Sequence, residues 1–148
     1  NMKVCPCKVL PLAWGTSDYI KVLEDCTKTK QSSSSSEQEN NPPFHLILAA
    51  DCVYWSELHT PLKTTLLNLL TGNPKSICLI AGVRRWKKDN EFYRSINKIR
   101  STGDFKGKLT CECIEEKVLR SGVEDGISTE ERVEREVMRV YAVSWIGL

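Results

Sequence analysis

Two apolar runs, FHLILAAD at 44–51 and SICLIAGV at 76–83, constrain this chain more than any other feature in it. A strand with one face in water alternates apolar and polar residues. A run that stays apolar reads instead as a strand covered on both faces, as in a parallel sheet flanked by helices. Between the two runs, Leu62, Leu66, Leu69 and Leu70 fall on one helical stripe. Thr60 and Pro61 supply an N-cap and first-turn pair for that helix, and Gly72 a stop. Strand, helix, strand is therefore the central unit.

The flanks extend the pattern. CKVLPLAWG at 7–15 is β-prone, with Pro11 marking a strand edge or end, and SDYIKVLED at 17–25 predicts a short helix. Asp89 can cap a further helix with Phe92, Ile96 and Ile99 on one face and Gly103 at its end. KLTCECIE at 108–115 and MRVYAVSWI at 138–146 read as closing strands, separated by a charged stretch containing Gly122 and Gly126. The order β, α, β, α, β, α, β, β predicts a doubly wound α/β domain with a mostly parallel sheet. A length of 148 residues suits one core. Residues 27–43, with five consecutive serines, lack the apolar content to offset ordering entropy and predict a disordered insert.

Composition excludes more than it selects. Twenty-one basic and 19 acidic residues leave a net charge of +2 without clustering, which argues against a nucleic-acid footprint. No apolar run is long enough to span a bilayer, and the N-terminus has no signal-peptide order, so a soluble intracellular protein is expected. Seven cysteines match no disulfide framework and suggest a reducing compartment. The pairs Cys5/Cys7 and Cys111/Cys113 lack CxxC spacing, and with only two histidines available no metal site is expected.

In a doubly wound sheet, ligands gather beyond the carboxyl ends of the strands, so Trp14, Asp51 to Tyr54 and Arg84 to Trp86 should share one rim. Two strings compete for chemistry there. Asn41-Pro42-Pro43-Phe44 resembles the motif of enzymes that methylate planar amino groups, but it opens a strand instead of closing one. Asp51-Cys52-Val53-Tyr54 closes the strand. His59 is expected on the polar side of its helix, and 130–136 as a solvated loop or short helix.

Read together, LAWG at 12–15, the Asp-x-x-Tyr string at 51–54 and an arginine after the next strand, Arg84 or Arg85, resemble the seven-β-strand protein-lysine methyltransferases that modify chaperones, elongation factors and an AAA ATPase. That resemblance implies a Rossmann-like fold with strand order 3-2-1-4-5-7-6, the last strand antiparallel, and S-adenosylmethionine as cofactor. It also implies a protein substrate and a cytoplasmic, or also nuclear, location. Asp51 and Tyr54 would line the transferred methyl and the incoming amine. Trp14 would pack near the adenosine, and Ala50 would contact the cofactor. The family's Gly-x-Gly turn is absent from the chain, and Asn1 is followed quickly by the third-strand motif. The resemblance thus implies the carboxyl-terminal part of one domain, strands 3 to 7, with the edge of strand 4 uncovered. Two other readings stay open: an inactive interaction module working through Trp55 and Trp86, and a methyltransferase of nucleic-acid or glutamine amines working through Asn41 to Phe44.

Overall fold

The computed structural model describes residues 9–28, 44–71, 74–84, 89–101, 105–119 and 136–147. Helix α1 (Asp18–Lys28) is followed by strand β1 (Leu46–Ala50), a 3-10 turn at Ser56–Leu58, helix α2 (His59–Leu70) and strand β2 (Ile77–Arg84). Helix α3 (Asp89–Ile96) then leads into strands β3 (Arg100–Ser101), β4 (Gly107–Leu119) and β5 (Glu136–Gly147). The insert beyond Lys28, the charged stretch before Glu136, and Cys5 and Cys7 lie outside the described residues.

The five strands form one sheet in the order β1-β2-β5-β4-β3. β1 and β2 run parallel, in register from Leu46 opposite Ile77 to Ala50 opposite Ala81. β5 inserts antiparallel between β2 and β4. This is the 4-5-7-6 portion of the order that the resemblance implies, in a mixed α/β fold of incomplete methyltransferase type. The expectation of a mostly parallel sheet is corrected among the described residues: one pair is parallel and three are antiparallel. A parallel pair needs a helical crossover, which only α2 provides, whereas β4 and β5 pair as a hairpin does.

Both α2 and α3 lie on one face of the sheet. Leu62, Leu66 and Leu70 from α2 and Phe92, Tyr93 and Ile96 from α3 meet Cys78, Ile80, Leu109, Val143 and Trp145 in one buried cluster. Gly107 is required by this packing, since a Cβ there would strike the Trp145 ring and the Ile146 carbonyl. The opposite face is bare among the described residues. Leu46 is 51% and Leu48 72% exposed, and Ile77 and Ile146 emerge beside them. FHLILAAD is thus covered on one face only, which corrects the expectation of a strand buried on both. Its apolar content remains, but no described helix reaches that side.

Three local boundaries also differ. Residues 9–13 are not a strand: Pro11 offers no donor, no described strand pairs with them, and the chain turns at Trp14 and Gly15. Helix α2 begins before Thr60, at His59, because the 3-10 turn leads directly into it; no side chain caps it. Thr60 sits inside the first turn, where its carbonyl accepts from the Thr64 hydroxyl at 3.1 Å. Helix α3 ends at Ile96, and Ile99 lies beyond it, accepting at its carbonyl the Leu109 N–H at 3.3 Å.

Leu70, fully buried, and Leu48, on the bare face, make a contrasting pair. Leu70→Ala should lower unfolding free energy by about 3 kcal/mol in urea titrations. Leu48→Lys should leave it within about 0.5 kcal/mol while reducing aggregation measured by light scattering. The thiols divide in the same way. Burial pushes Cys78 and Cys111 up to about 12, while Cys113 is exposed. Iodoacetamide at neutral pH should therefore alkylate Cys113 in the folded protein and reach Cys78 and Cys111 only in denaturant, as read by peptide mass spectrometry.

Candidate active site

Strand β1 ends at Ala50, and Asp51 turns the chain with φ 51°. This left-handed geometry is tolerated by aspartate and asparagine far better than by most residues with a Cβ. The Asp51 N–H still donates to the Ala81 carbonyl at 2.7 Å, so the turn is tied to the parallel ladder. Two residues on, Val53 is buried in the core cluster, and its carbonyl meets His59 Nε2 at 3.0 Å. The His59 ring lies 5.0 Å from Phe92. His59 therefore does not sit on the polar side of α2; it braces the loop from beneath. With its backbone tied at Asp51 and Val53, the loop presents Tyr54 half-exposed and stacked on Trp55, with ring centroids 6.3 Å apart.

Asp51 and Tyr54 line one hollow of about 20 Å³, space for roughly one water. Gly82 on β2 opens it: a Cβ there would lie 4.0 Å from the Tyr93 hydroxyl and would occupy free space. Asp89, buried at the start of α3, supplies a second carboxyl group to the lining. Tyr93 and Tyr141 stack at 3.5 Å and form another wall. Burial first, and then the neighbouring Tyr141, push the Tyr93 hydroxyl above its ordinary range, so it stays a neutral hydrogen-bonding group. Arg139 closes the hollow while donating to Glu116 Oε2 at 2.6 Å and to Asn90 Oδ1 at 3.0 Å. Cys52 points back to the Ala50 carbonyl at 3.2 Å, and its thiol is raised by burial and then by Asp51.

The four residues named from the sequence are divided by the structure. Asp51 and Tyr54 share the hollow; Trp14 and Ala50 do not line it. Trp14 packs against the edge of the core. The turn that carries it is docked on α2: Gly15, at φ 76°, donates its N–H to Thr65 Oγ1 at 2.9 Å and passes close to Pro61. Ala50 is exposed on the bare side of the sheet. Trp55 stands at the lip, Arg84 ends β2, and Arg85 and Trp86 lie outside the described residues. So do Asn41 to Pro43, while Phe44 precedes β1, at the end of the strand away from Asp51. Sequence reasoning missed Tyr93, Arg139 and Tyr141 and saw Asp89 only as a cap. The available signal was Arg139, the lone charge in the apolar run MRVYAVSWI.

These residues fit one end of S-adenosylmethionine. Two carboxyl groups and the nearby phenol rings suit a sulfonium cation. The glycine-rich turn for the nucleoside end has no counterpart, since no Gly-x-Gly occurs in the chain, and the hollow that Asp51 and Tyr54 themselves line, about 20 Å³, is too small for a nucleoside. Among the described residues no group of three or more His, Cys, Asp or Glu is placed to hold a metal ion.

Removing the His59 brace tests how the loop is held. His59→Ala should destabilise the protein by about 1 kcal/mol and speed amide exchange at Asp51 to Trp55 more than in β5, measured by hydrogen exchange with mass spectrometry.

Among the described residues no helix is long and apolar enough to cross a membrane. No curated protein matches the chain. A family model described as lysine methyltransferase matches residues 17–99, from α1 through α3 and so including the Asp51 loop and the strand-helix-strand unit that carries it. With more than half its length in that match, the chain belongs to the lysine methyltransferase family.

Proposed function

We propose that Asp51 and Tyr54 form the amine-receiving wall of an S-adenosylmethionine-dependent protein-lysine N-methyltransferase, acting on a substrate of the chaperone, translation-factor or ATPase type. The observation that carries this reading is the braced Asp-x-x-Tyr loop at the carboxyl end of a parallel strand, where α/β sheets place their ligands. It lies inside the segment that matches the family.

The cofactor, when bound, supplies a methyl group on a positively charged sulfur. The chain's own residues have the task of orientation. A lysine ammonium, with a reference pKa of about 10.4, is drawn toward the carboxyl groups of Asp51 and Asp89. To react it must give up its proton to solvent, a loss that partial removal from water favours and the two carboxyl groups oppose. Asp51 then holds the neutral amine by accepting a hydrogen bond from one of its N–H groups, which directs the lone pair, and Tyr54 offers an aromatic face beside it. Alignment of this kind dominates the rate of a displacement between two held groups.

The decisive variant is Asp51→Asn, because asparagine tolerates the same left-handed backbone. With the intact enzyme, labelled cofactor and protein extract, it should reduce methyl transfer to lysine by about 100-fold while cofactor affinity falls much less. Full activity in Asp51→Asn would overturn the assignment. Label recovered on glutamine or nucleic acid instead of lysine would overturn the substrate class.

A further inference from the structure

A second, larger hollow of about 320 Å³ opens beside the first. The two share Asn90, Tyr93, Arg139 and Tyr141, so the site continues as a groove across the tyrosine stack. The new part is lined by Arg94, Asn97 and Cys111. Most of its polar groups are already engaged. The Asn97 amide donates to the Cys111 carbonyl at 3.0 Å and accepts the Cys111 N–H at 2.8 Å, taking the place of a neighbouring strand. Asn90 accepts from Arg139, and Arg139 is neutralised by Glu116. Glu112 alternates with Cys111 along β4 and so faces the other side of the sheet. Arg94, exposed in the last turn of α3, has no ion pair among the described residues.

The groove is therefore polarised. Asp51 and Asp89 stand at one end and Arg94 at the other. The ammonium group of a lysine side chain reaches only the first end. We propose that the groove seats the extended segment flanking the methyl-accepting lysine, and that Arg94 selects a segment with an acidic side chain near that lysine. This rests on the lysine reading above. Arg94 follows Asp89 by five helical positions, a rise of about 7.5 Å along α3. An extended chain advances roughly 3.3 Å per residue, which places the acid two or three residues from the lysine. A plain last-turn arginine, facing only its own helix dipole, would show no such preference.

The test uses the full chain and short fluorescent peptides with a central lysine and, two and three residues to either side, glutamate in one peptide and arginine in the other. Anisotropy should show the glutamate peptide bound about five- to tenfold more tightly than the arginine peptide. Arg94→Lys should keep that preference and Arg94→Glu should reverse it. Equal binding of both peptides, or an Arg94→Glu protein that behaves like the wild type, would overturn the proposal. Replacing the central lysine by norleucine separates the two readings. Arg94-dependent binding that ignores this change supports the groove and removes the lysine assignment. Lysine methylation that proceeds identically in Arg94→Glu removes the groove and keeps the lysine assignment.

Discussion

The pairing of β5 between β2 and β4 is the interaction on which everything else rests. It pairs β5 on both edges from Val137 to Ser144 and places Cys78, Ile80, Tyr141, Val143 and Trp145 on one apolar face. Both α2 and α3 bury their stripes against that face. Burial of this kind is the main favourable term in folding, and leaving ladder groups unpaired in a core is too costly to be common. Without β5, Tyr93 on α3 would lose the Tyr141 ring it stacks on, and β4 would have no neighbour along most of its length.

The same pairing builds the site. Gly82 on β2 lies opposite Arg139 on β5, and Tyr141 follows two residues later on the same face. The stack of Tyr141 on Tyr93 then joins the strand to α3. Asp51 reaches this place because the end of β1 is hydrogen-bonded to Ala81, one residue before Gly82. Residues separated by ninety positions are thus brought to one hollow by sheet register, while His59 and Val53 hold the loop that carries Asp51 and Tyr54. Positive φ at Asp51 is a local strain of the sort that persists where surrounding contacts over-determine the backbone.

The bare side of the sheet shows what an apolar run does and does not encode. Leu46, Leu48 and Ile77 have the composition of a covered face, yet they stand in solvent among the described residues. Apolar content records the environment a strand is suited to; exposure depends on which elements are packed against it. Such an edge favours association with other apolar surfaces.

Much of the molecule was legible in the sequence. The leucine stripe of α2 follows from the helical repeat of 3.6 residues, the strands β1 and β2 from short unbroken apolar runs, and β4 and β5 from β-prone runs near the end of the chain, with the Asp-x-x-Tyr string standing where β1 stops. Three things were not legible. One was the partnership of Asp51 with Tyr93, Arg139 and Tyr141; another was the role of His59 as a brace; the third was the separation of Trp14 and Ala50 from the hollow. Each depends on strand order and register, which bring together residues far apart in the chain. The sequence by itself determined the elements and the chemistry available at their ends. Tertiary structure alone decided which ends meet, because burial and hydrogen bonding are satisfied by the whole sheet at once and not by any one segment.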